Sequence, residues 1–67
     1  MSRLNDLKLK IEEIIEKKGL DPIKTKGAIS LKVGLVLSII RESTPDDPEK
    51  IEKLISAAEE VLGEKIS

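Results

Sequence analysis

The sequence contains no histidine, cysteine or tyrosine, so any catalysis would fall to hydroxyls, lysine amines or carboxylates. Ser30, Lys32 and Ser38 are the candidates within the most apolar stretch. No carboxylate stands at a spacing that implies partnership with them, so they read as parts of a structural element and the chain is expected to be non-enzymatic. Asp46, Asp47 and Glu49 form a second group with chemical potential. A calcium loop needs oxygen ligands at alternating positions around a glycine, with a distal glutamate. That pattern is absent, and the three carboxylates are expected to cap a helix and favour its N-terminal dipole. No metal or cofactor is expected.

Phosphate recognition is the remaining chemistry to consider. Gly19-Leu20-Asp21-Pro22-Ile23-Lys24-Thr25 has the glycine, lysine and threonine of a nucleotide loop but lacks the second glycine directly before the lysine. Lys17, Lys18, Lys24, Lys26 and Lys32 surround the turn from Asp21 to Gly27. Of these, Lys24, Lys26 and Lys32 are the candidate anion-binding residues, set against the ordinary explanation of lysines on a solvated loop. A nucleic-acid-binding module using the segment 17–32 is accordingly the alternative function. Twelve basic residues against thirteen acidic ones, with no aromatic side chain for base stacking, argue against it.

These residues must be positioned by a small chain. Sixty-seven residues make one domain, 1–67, and a domain of that size buries only about 60% of its unfolded surface. Without cysteine or histidine, neither a disulfide nor the usual structural zinc can reinforce it, which leaves association as the common remedy. The core must be built from Ile, Leu, Val and Ala. Residues 1–41 hold nine basic and five acidic side chains, whereas residues 42–67 hold three and eight. The two parts are expected to attract each other within a bundle or between subunits. The start of the chain is charged, and the apolar centre is interrupted by Lys32 and shorter than the roughly 20 residues that cross a bilayer. No membrane association is expected, and the location expected is cytoplasmic.

Leu4, Leu7, Ile11, Ile14 and Ile15 recur at three- and four-residue steps, which predicts an amphipathic helix over about 3–18 ended by Gly19. Asp21-Pro22 supplies a helix start, yet Lys24-Thr25-Lys26-Gly27 is a poor helix interior, so a short turn or helical lead-in is expected over 22–27. A last helix over about 48–62 follows from Asp47-Pro48, the stripe Ile51, Leu54, Ile55, Ala58, Val61 and Leu62, and Gly63.

Between them lies the most apolar stretch, 28–40, read as the central helix of about 28–42. Its apolar residues would spread over an arc of roughly 240°, wider than two neighbouring helices easily cover. Ser30, Gly34 and Ser38 fall every fourth residue on the remaining side, a spacing that lets backbones approach closely. The fold expected is therefore an all-α bundle of three main helices. Alternation of apolar and polar residues allows the alternative of a strand over 29–39 pairing between subunits. A helix-turn-helix would meet Ile15 where a small residue is needed. A ribbon-helix-helix would need its strand ahead of both helices. The function expected is protein–protein interaction, by a homodimer or with a small protein partner, through Ile29, Val33, Gly34, Val36, Leu37 and Ile40. An apolar ligand held between aliphatic helices is a further alternative.

Overall fold

Helix formation begins after Ser2, which is itself extended and whose hydroxyl accepts the Asn5 N–H at 3.2 Å, capping α1 (Arg3–Lys18). The computed structural model describes residues 2–66, and these form α1, α2 (Pro22–Val33), a single 3-10 turn (Leu37–Ile39) and α3 (Pro48–Leu62). The expected stripe of α1 is the buried one: Leu4, Leu7, Ile11, Ile14 and Ile15 all lie in the core. Gly19 closes the helix in left-handed geometry, with its own N–H and that of Leu20 returning to the carbonyls of Glu16 and Ile15.

The last helix follows the same logic. Asp47 accepts the Glu49 N–H at 3.0 Å, Pro48 occupies the first turn, and Gly63 ends the helix. Leu54, Ala57, Ala58 and Leu62 are buried, while Ile51, Ile55 and Val61 pack partly against the same core. Small side chains at 57 and 58 let α2 lie close, and α2 rests mainly on α3.

The three-helix bundle is as expected, and no strand occurs among the described residues. The central helix, however, is displaced along the chain. Asp21 accepts the N–H groups of both Ile23 and Lys24, at 3.0 and 3.1 Å, so the helix starts at Pro22 and runs unbroken through Gly27. It stops at Gly34, whose φ of 74° is left-handed and whose N–H returns to the Ser30 carbonyl. Two strong end signals thus outweigh the apolar run that extends to residue 40. Beyond Gly34 the chain is irregular, and its 3-10 turn directs Leu37 and Ile40 into the core beside Ile29 of α2.

Polar contacts hold the irregular segment. Lys8 Nζ donates to the Ile40 carbonyl at 3.1 Å, and Lys18 Nζ donates to the Leu62 carbonyl at 2.8 Å. Asp46 accepts from the Ser2 hydroxyl at 3.0 Å and from the Leu4 N–H at 3.2 Å, tying the loop before α3 to the start of α1. Only Asp47 of the three carboxylates caps α3; Asp46 serves the start of α1 instead. Partial desolvation pushes the Asp46 carboxyl up, but the donors from Leu4, Ser2 and Arg3 outweigh it and leave it below the usual range.

A lowered carboxyl pKa contributes stability that is full above the unfolded value, about 3.9, and is lost as pH falls through the folded value. Asp46→Asn should therefore destabilise the chain at neutral pH. Its urea midpoint should also change less than the wild-type midpoint between about pH 5 and about pH 2. Parallel midpoints over that range would show that Asp46 is not tied to α1. The two central glycines should differ in sign. Gly27 lies mid-helix with open space at its Cβ, so Gly27→Ala should stabilise by about 0.5–1 kcal/mol. Gly34 holds a positive φ, so Gly34→Ala should destabilise by about 1 kcal/mol in the same urea titration.

Candidate interaction face

At about 100° per residue, the side of α2 opposite Ile29 carries Gly27, flanked by Ile23, Ser30 and Leu31. Ile29 is fully buried and Val33 packs partly against the core, so this helix has one inward edge. Its outward side is nonetheless apolar. Ile23 is 84% exposed and Leu31 is 88% exposed, values expected of charged side chains rather than branched aliphatic ones. Just beyond the helix, Val36 (54%) and Ile39 (63%) are exposed as well.

Part of this surface is concave. Leu31, Leu35 and Val36 line an open groove of about 760 Å³ whose remaining lining is the small residues Gly27, Ala28, Ser30 and Gly34, with Lys24 as its one charged member. Small residues leave the helix backbone accessible to a neighbour. The geometry suits an apolar side chain seated on a helix, with a cation at one edge.

The structure separates the six residues expected at an interface. Ile29, Leu37 and Ile40 are buried in the chain's own core, and Val33 is partly buried against it. Gly34 and Val36 line the groove. The exposed apolar residues of the helix itself, Ile23 and Leu31, lie outside the expected six because that set follows from one continuous helix over 28–42. With the helix started at Pro22 instead, Ile23, Gly27 and Leu31 share a face by their spacing of four.

The three lysines expected to attract an anion are not gathered together. Lys26 pairs with Glu12 of α1 at 3.2 Å, and Lys32 pairs with Glu60 of α3 at 3.2 Å. Lys24 stands apart at the groove, with no carboxylate partner among the described residues. The potential nucleophiles are equally scattered: Ser30 lines the groove, Lys32 is ion-paired, and Ser38 is exposed in the 3-10 turn. Among the described residues, no group of three or more acidic side chains is placed to hold a metal ion, and no helix is long and apolar enough to cross a membrane. No protein-family model, curated protein or solved structure matches the chain.

The burial contrast along α2 gives a direct test. Ile29→Ala should cost about 2–5 kcal/mol of stability, as for other large-to-small changes in a core. Leu31→Gln, two residues away, should alter the stability of the isolated chain by no more than about 0.5 kcal/mol. Denaturant titration at low protein concentration measures both, and equal losses would place Leu31 in the core.

Proposed function

We propose that this chain is a non-enzymatic protein–protein interaction module that self-associates as a homodimer through the outward face of α2. The observation that carries the proposal is the uncovered apolar surface of Ile23, Leu31 and Val36 around a floor of small residues. Both other helices turn their apolar stripes inward, with Leu9 the exposed exception on α1. Burying a Leu or Ile side chain is worth about 1.5–3 kcal/mol relative to leaving it in water, so covering this face offsets a cost the monomer carries. A nucleic-acid role gains no comparable support, because Lys26 and Lys32 are already paired with carboxylates of the same chain.

One helix face with its adjoining segment lies at the low end of specific interfaces, which points to a dissociation constant in the micromolar range. Sedimentation velocity should show the mass rising from monomer to dimer with concentration, and the melting temperature should rise with it. Val36→Asp places a charge on the exposed face and should yield a folded monomer. Leu35, which is partly buried against the core, should lose stability when replaced by Asp. A wild-type chain that remains monomeric at about 1 mM would overturn the proposal.

A further inference from the structure

We infer that the charged stripe Asp6, Lys10, Glu13 and Lys17 on α1 is a second self-contact, pairing antiparallel with the same stripe of another copy. It is independent of the α2 face and joins dimers made there into larger, salt-sensitive assemblies.

At about 100° per residue the four side chains fall within an arc of about 60°, on a side of α1 turned away from the buried Leu4, Leu7, Ile11 and Ile15. All four residues are exposed. None of the four side chains has an ion-pair or hydrogen-bonded partner among the described residues, although each stands four from an opposite charge. That spacing is used elsewhere, where Lys8 meets Glu12 at 4.0 Å and Lys53 meets Glu49 at 3.3 Å. The stripe also walls an open groove of about 590 Å³ that reaches Glu64 and Lys65, and Leu9, 53% exposed, borders it.

The order of the charges selects the occupant. Along the stripe the signs run negative, positive, negative, positive, and reversing the direction inverts every sign. A two-fold axis at the level between Ile11 and Glu12 therefore sets Asp6 against the partner's Lys17 and Lys10 against the partner's Glu13, each pair occurring twice. Such a contact is isologous, and charge pairs of this kind between helices fix orientation and partner. Parallel pairing would set every charge against its like. The two Leu9 side chains come to one side of the seam, offset by about 7.5 Å along it. Lys65 lines the groove on the segment that Glu64 ties to Lys18 at 3.5 Å, so a second cation stands at the end where the partner's Asp6 arrives.

The other helices supply the contrast. At the same spacing α3 carries Glu49, Lys53, Ser56 and Glu60, and reversal sets Glu49 against Glu60. Both glutamates are moreover held within the chain, by Lys53 and Lys32. On the outward side of α2 the same spacing gives Ile23, Gly27, Ser30 and Gly34, with no charge. Self-complementarity thus belongs to α1 alone among the three helices.

The test uses Val36→Asp as the parent, so that the α2 face is silent, and measures dissociation constants by sedimentation equilibrium. At an ionic strength of about 10 mM the parent should dimerise, and its dissociation constant should rise at least about tenfold at about 0.15 M, where it is the monomer expected above. Adding Lys10→Glu or Glu13→Lys at an exposed position keeps the fold but sets like charges together, and each should weaken the low-salt dimer about tenfold or more. An equimolar mixture of these two variants should associate as tightly as the parent, and so should the chain carrying both changes, because each restores opposite charges across the seam. Lys50→Glu, the same change in net charge on α3, should have no effect. A parent that is monomeric at low ionic strength, or a dimer indifferent to both single changes, would overturn the contact. Weakening by the single changes without recovery in the mixture and the double variant would overturn the antiparallel register. A wild type that is monomeric at about 0.15 M removes the α2 reading instead and leaves these outcomes unchanged.

Discussion

The left-handed turn at Gly34 divides the longest apolar run of the chain into two parts that do different work. Before it, residues 22–33 form a helix that touches the bundle along one edge and leaves its opposite side uncovered. After it, the backbone is irregular enough for Leu37 and Ile40 to turn into the core. Had the helix continued, those two side chains would have been fixed at helical spacing relative to Leu31 and Val33. The break is what allows one apolar segment to fill a core and another to remain on the surface.

The core is aliphatic throughout, joining Ile29 of α2 to the stripes of α1 and α3, with Ile66 closing one end. A domain this small has a narrow margin, so the polar ties that fix its connections matter. Asp46 links the loop before α3 to the start of α1, and Lys8 fixes the carbonyl at the end of the irregular segment. The uneven distribution of charge is used as expected in two places: Lys18 meets Glu64 at 3.5 Å and Lys32 meets Glu60 at 3.2 Å, each joining the basic part of the chain to the acidic part. Such exposed pairs orient the helices more than they stabilise them.

The outer helices are legible in the sequence because an apolar stripe of helical period is followed by a glycine in each, and Asp47-Pro48 marks the start of the last. In the central segment the signals conflict. Asp21-Pro22 and Gly34 mark one helix, whereas the apolar run from Ala28 to Ile40 marks another, shifted toward the C-terminus. Gly27 counts against the helix over 22–33, since glycine is disfavoured inside a helix, while the wide apolar arc favours the shifted one. The arc does report a real surplus of apolar surface. Its assignment to particular residues depends on the helix register, which is why Val36 lies at the surface while Ile29, Leu37 and Ile40 lie inside. The lysine cluster dissolves for a related reason: sequence proximity brings Lys24, Lys26 and Lys32 together, but the helix rotates them toward different neighbours.

The placement of α2 decides whether the outward face exists in the form described. Backbone carbon chemical shifts across residues 20–42 measure it most directly, residue by residue. Continuous helical shifts over 22–33, a reversal at Gly34 and no extended helix over 34–42 are expected. Helical shifts running unbroken from 28 to 42, with residues 22–27 non-helical, would contradict that placement.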